Sequence, residues 1–143
     1  MIALDTNVLV AARREELAHH AQARRLLARL ASGQDPWALP WPCVYEFLRV
    51  VTHRRVFRPL TPLARAVEDM VHLLAAPSLV MLGEGTAHAA HLERQMLAGE
   101  AAGNLACDAH IAALCIEHGV RELWTLDRGL ARFPGLKIAN PFR

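Results

Sequence analysis

The sequence has little lysine, little cysteine and no long apolar run, and each shortage narrows what it can be. Lys137 is the one lysine among 16 basic side chains; the rest are arginine. Cys43, Cys107 and Cys115 are an odd count in 143 residues, which argues against a disulfide-built scaffold and for reduced, buried thiols. The most apolar stretch, 70–82, is broken by His72 and Pro77 and falls short of the roughly 20 residues a membrane span needs. The opening run 1–12 carries Asp5 in its middle and no basic residue before it. It does not read as a signal peptide, so a cytoplasmic location is expected. Neither GxGxxG nor GxxxxGK[ST] occurs, and Gly83-Glu84-Gly85 alone is too little to cradle a phosphate. A formal charge of only +2 excludes an extreme basic tail, though not a local basic face. No repeat, low-complexity tract or Ser/Gly-rich linker divides the chain, so 1–143 is expected to be a single domain.

What is present is 53% hydrophobic residues, enough for one substantial core. Apolar runs at 2–4, 37–39, 79–82, 123–126 and 136–139 read as strands. Between them, helical spacing predicts helices over 8–12, 17–31, 42–52, 62–75, 86–98 and 104–118. Pro42 and Pro62 suit first turns, Thr61 suits an N-cap, and Gly119 suits a helix stop. Strands alternating with helices predict an α/β fold with a parallel sheet covered on both faces.

The informative feature is the placement of four acids. Asp5 and Asp127 each follow a strand directly. In open α/β sheets ligands bind beyond the carboxyl ends of the strands, so the two aim at one crevice if those strands are neighbours. Glu46 and Asp108 sit in strongly apolar helices, where an uncompensated carboxylate is costly. Asn104 precedes Asp108 by four residues and shares its helix face. Each acid also has a plain structural reading. Asp5 and Asp127 fit as helix caps, Asp108 as a first-turn acid, and Glu46 as a surface partner of Arg49. Taken together, four acids around one crevice repel one another and call for divalent cations. A site without His or Cys ligands suits Mg²⁺ or Mn²⁺, which bind phosphate oxygens and lower the pKa of a bound water. Metal-assisted hydrolysis of a phosphodiester is the chemistry this set implies.

The same residues carry a family resemblance. Leu4-Asp5-Thr6-Asn7-Val8-Leu9, Tyr45-Glu46-Phe47-Leu48-Arg49, Gly103-Asn104-Leu105 with Asp108 to Leu114, and Thr125-Leu126-Asp127 with Phe133-Pro134-Gly135-Leu136 occur in order. In this the chain resembles the PIN-domain ribonucleases, in particular the VapC-type toxins of bacterial toxin–antitoxin pairs. The resemblance implies a three-layer α/β/α sandwich and a metal-dependent endoribonuclease that yields a 5′-phosphate and a 3′-hydroxyl. It implies metal-binding, catalytic acids at Asp5, Glu46, Asp108 and Asp127, supported by Thr6, Asn7, Asn104 and Thr125. It also implies an RNA substrate, a cognate antitoxin and a homodimer. Residues 59–99 carry little signature.

Other constellations are weaker. Cys107, His110, Cys115 and His118 mimic zinc spacing, but on one helix the outer two lie about 16 Å apart, too far for one tetrahedral ion. The expectation there is a core-facing cysteine pair with surface histidines, and the remaining histidines receive no role. Arginine forks match phosphate oxygens, so Arg13, Arg49, Arg54, Arg55 and Arg128 are candidate RNA contacts, against a solvated basic face. Trp37 and Trp41 read as core or interface residues. Two rival functions stand. One is a phosphohydrolase using Asp5 as nucleophile, which expects a second acid where Asn7 stands. The other is a PIN-like module that binds RNA or protein without cutting.

Overall fold

The computed structural model describes all residues, 1–143. Five strands form one sheet: β1 (Ile2–Leu4), β2 (Trp37–Pro40), β3 (Leu79–Leu82), β4 (Glu122–Trp124) and β5 (Ile138–Ala139). Their order is β3-β2-β1-β4-β5, and every neighbouring pair is parallel. Six helices flank it: α1 (Thr6–Arg13), α2 (His20–Ser32), α3 (Trp41–Val51), α4 (Leu63–Leu74), α5 (His88–Ala98) and α6 (Leu105–Glu117). This is the expected α/β/α sandwich.

Burial explains the strands. The interior strands β1 and β2 are buried at every residue, as their unbroken apolar runs require, whereas the edge strands β3 and β5 are only partly covered. Leu4, Trp37, Leu39, Ile111, Leu114 and Leu123 form the fully buried centre. Truncating one of these leucines to alanine costs about 2–5 kcal/mol. Ala109, Ala112 and Ala113 in α6 are fully buried too, and their small side chains let that helix lie close to its neighbours. Gly119 follows α6 at φ 66°, the left-handed conformation that glycine adopts without a Cβ penalty.

Three local expectations are corrected. Thr61 does not cap α4. Its hydroxyl accepts from Arg14, its N–H donates to Val51 O, and Pro62 takes the cap position. Cys107 is exposed rather than paired with buried Cys115 in the core, because the first turn of α6 opens to solvent beyond the packed part of the helix. α1 starts at Thr6, earlier than its apolar pattern suggests, because Asp5 caps it. Of the two tryptophans, Trp37 is core, and Trp41 lies at the surface beside Tyr45.

The strand order sets the site. The chain runs outward from β1 through β2 to β3, then returns to the other side of β1 for β4 and β5. β1 and β4 are therefore neighbours, paired Ile2 with Glu122, Ala3 with Leu123 and Leu4 with Trp124. The order reverses between them, which is where a parallel sheet leaves a crevice at its carboxyl end.

Candidate active site

Asp5 and Thr125 leave the sheet side by side at that crevice. The Asp5 N–H donates to Trp124 O at 3.0 Å, so β1 and β4 are still zipped where the two side chains begin. The Asp5 carboxylate accepts from Thr6 N at 2.7 Å, from Thr125 Oγ1 at 2.7 Å and from Asn7 Nδ2 at 3.1 Å. Asn7 also donates to Thr125 Oγ1 at 3.0 Å and accepts from Leu126 N, and Thr125 Oγ1 accepts from Asp127 N at 2.9 Å. This closed network makes the angle between the two strand ends rigid. Thr6 Oγ1 donates to Glu46 Oε2 at 3.0 Å and ties α3 to the same centre.

Asp5, Glu46, Asp108 and Asp127 all line one cavity of about 420 Å³. Asp5 is only 6% exposed, and burial raises its pKa although Thr125 and Thr6 donate to it; Glu46 and Asp127 raise it further. Burial, then the charges of Asp127, Asp5 and Glu46, push Asp108 up to about 6, with Arg132 opposing. The acids thus feel one another, which is the repulsion a divalent cation relieves. The plain structural roles hold as well. Asp5 caps α1, Asp127 accepts from Gly129 N at 2.7 Å, and Glu46 meets exposed Arg49 at 3.5 Å.

Residues 2–136 match the family model described as the PIN domain. The chain belongs to the PIN-domain family. It is similar to ribonuclease VapC43 of Mycobacterium tuberculosis, 40% identical over 141 residues, covering 99% of this chain and 95% of that protein. Ribonuclease VapC48 of the same organism is 34% identical, covering 96% and 95%. Among solved structures, VapBC2 of Rickettsia felis bound to a DNA fragment from its promoter superposes with a TM-score of 0.69 at 19% identity, covering 98% of each chain. Mycobacterium tuberculosis VapC20, a sarcin–ricin-loop-cleaving toxin, gives a TM-score of 0.68 at 16% identity, covering 96% of this chain and 99% of that one. These two structures share the fold.

Around the acids of this PIN domain the arginines separate. Arg13 lies on α1 and is partly buried. It forks onto the Asp69 carboxylate of α4 through Nε and Nη2, which uses the guanidinium face a phosphate would need. Arg49 is exposed against Glu46, and Arg128 is exposed beside Asp127, on a smaller cavity they share with Thr125. Arg54, Arg55 and Arg58 gather beyond the end of α3 around a separate hollow of about 590 Å³ that no acid lines. Asn104 does not join the network. It is exposed at the solvent end of α6 and makes no hydrogen bond to the acids.

Two residues near the acids were not singled out by sequence. His19 lines the acid cavity, stacked on Phe142 with centroids 4.9 Å apart. Arg132 bears on Asp108 from the turn after β4. His19 stands apart from the motifs, and Arg132, although it directly precedes Phe133-Pro134-Gly135, is one arginine among many. The phosphohydrolase reading loses its footing here, since Asn7, where that chemistry expects a second acid, is hydrogen-bonded to Asp5 and Thr125. No helix is long and apolar enough to cross a membrane.

Proposed function

We propose that this PIN domain is a divalent-metal-dependent endoribonuclease and the toxin of a VapBC-type pair. One observation carries the reading: four carboxylates line a single cavity at the switch point of a chain 40% identical to a ribonuclease. The all-oxygen carboxylate set, with its mutual repulsion, fits Mg²⁺ or Mn²⁺ held by Asp5, Glu46, Asp108 and Asp127. A cation held there supplies charge for the phosphate and acidifies a water for attack on phosphorus.

The chain's own groups do the positioning. Thr125, Asn7 and the Thr6 N–H favour the ionised form of Asp5 and fix its direction, and the Thr6 hydroxyl does the same for Glu46. Arg49 and Arg128 on the rim take RNA phosphates on either side of the cleaved bond, and Arg54 and Arg55 extend the basic path. Val10, Leu17 and Val50 line the acid cavity on its apolar side. An antitoxin segment fills that side and directs an arginine onto the acids in place of the cation. Leu63, Val67 and Val71 expose one face of α4 on successive turns and supply a contact for a second copy of the chain. The proposed setting is the cytoplasm, where RNA and antitoxin are met.

The test is cleavage of an RNA pool by purified protein in Mg²⁺ or Mn²⁺. The parent cuts, and Asp108→Asn folds but does not. Cutting by Asp108→Asn at the parental rate overturns the site. Tight RNA binding without turnover in any divalent ion favours the non-catalytic module. Co-expression with the product of the adjacent reading frame relieves toxicity if the pairing is right.

A further inference from the structure

A second cluster lies beside the acid cavity, and the proposed nuclease reaction makes no use of it. Glu84 comes from the loop after β3, His88 from the first turn of α5 and His110 from α6. One ligand atom from each of the three lies within 4.8 Å of the others. His110 Nε2 meets Glu84 Oε1 at 2.7 Å, and the two imidazoles meet edge to face with centroids 5.3 Å apart.

His88 is built in rather than incidental. It is 8% exposed, and its Nδ1 meets Glu117 Oε2 at 3.0 Å. That carboxylate orients the ring and leaves Nε2 as the nitrogen free to ligate, an arrangement that recurs behind metal-bound histidines. Gly85 completes the support. A Cβ there would come within 2.4 Å of Glu117 Oε1, so glycine lets the loop pass over the orienting carboxylate without displacing it.

We propose that Glu84, His88 and His110 form a second metal site, for zinc or a similar borderline cation. Two imidazoles and one carboxylate are a known three-ligand set for zinc, with the fourth position left to water or another ligand. A tetrahedral ion with bonds near 2.1 Å places its ligand atoms about 3.4 Å apart, which small side-chain rotations reach from the observed spread. The nitrogen donors set the site apart from the carboxylate centre, whose oxygens suit magnesium or manganese. Its occupation joins the loop after β3 to α5 and to α6, the helix that carries Asp108. Glu84, His110 and Glu46 line one cavity of about 620 Å³, so the ion sits next to the proposed RNA path. The site stands whether or not the chain cuts RNA.

The experiment measures Zn²⁺ by equilibrium dialysis and Co²⁺ by its visible absorption. It uses the full chain in a Cys107→Ser background, so that the exposed thiol cannot hold the ion. One equivalent binds the parent and also an Asp5→Asn/Asp108→Asn variant with the carboxylate centre disabled. His110→Ala and Glu84→Gln lose that equivalent, and Glu117→Gln weakens it about 10- to 100-fold. Zinc raises the Tm of the parent but not of His110→Ala. His88 is buried and its loss risks the fold, so the surface variants His110→Ala and Glu84→Gln decide. Zinc binding unchanged in both of them overturns the site, as does loss of all zinc from the carboxylate-disabled variant.

Discussion

The acid cavity and the Glu84–His88–His110 cluster are adjacent, with Glu46 lining a cavity on each side, yet they are built differently. The acids rise from two strand ends and from α3 and α6 around the switch point, and a closed set of hydrogen bonds through Thr6, Asn7 and Thr125 ties Asp5 and Glu46 in place. The cluster hangs from a loop and two helices, with one buried imidazole oriented from behind and two groups near the surface. The first offers only carboxylate oxygens and accumulates negative charge. The second mixes nitrogen with oxygen, and each of its imidazoles meets a carboxylate. Where like charges are forced together a hard cation is needed, and where a neutral imidazole is oriented a borderline cation is favoured.

The largest effect separates the two directly. Asp108→Asn is expected to reduce Mg²⁺-supported RNA cleavage by about 10³-fold or more, because several kcal/mol of charge stabilisation is lost. His110→Ala leaves that rate at the parental value. Equal losses in both variants would collapse the distinction between the regions.

Thr125→Val tests whether the hydrogen-bonded frame matters apart from the acids. Removing the hydroxyl takes one partner from Asp5 Oδ2 and one from Asn7 Nδ2, which keep each other, and leaves Asp127 N without its acceptor. Metal affinity at the carboxylates is expected to fall about 10- to 100-fold, with roughly 1–3 kcal/mol of stability lost. Isothermal titration and urea melts read the two effects, and unchanged affinity would mean that the acids position themselves.

The arginines give a subtler contrast. Arg49→Ala with Arg128→Ala raises KM and lowers the salt dependence of RNA binding, by roughly one unit of slope for each phosphate no longer neutralised. Arg13→Ala leaves binding alone and lowers the Tm, since it breaks the fork onto Asp69. RNA affinity that falls with Arg13→Ala would return that residue to the substrate path.

The smallest effect is on the metal-free protein. The Asp108 carboxyl, raised from 3.8 to about 6, keeps its proton in the folded state at pH values where the unfolded chain has released it. The stability that proton contributes is complete below 3.8 and is lost as pH rises through about 6. Asp108→Asn is therefore expected to raise the apo Tm by a few degrees at pH 8 and by less at pH 5. Thermal melts that show the reverse would refute the crowding of the acids.

Legibility in the sequence followed the range of the interactions. The four acids could be named because each sits at a strand end or in an apolar helix, a local conflict visible in a few residues. Asp5 at the close of Ile2-Ala3-Leu4 is the plainest case. Thr6, Asn7 and Thr125 came with those motifs, and the structure shows them hydrogen-bonded around Asp5 and Glu46. The partner of Arg13 and the exposure of Cys107 were hidden in the sequence because their surroundings are non-local. Asp69 lies 56 residues from Arg13, and the exposure of Cys107 depends on where α6 outruns its packing. His88 looked like a scattered histidine and His110 like part of a zinc-spacing mimic along α6, since the stretch of chain between them and its reversal hide their meeting.

By itself the sequence determined the alternation of strands and helices, the parallel sheet and the identity of the acids. Hydrophobic periodicity and capping act over a few residues and can be read there. Only the tertiary structure decided that β1 and β4 are neighbours, that Arg13 meets a carboxylate on a distant helix, and that a glutamate and two histidines share one spot. Those outcomes depend on which surfaces pack together, and packing is settled by the whole chain at once.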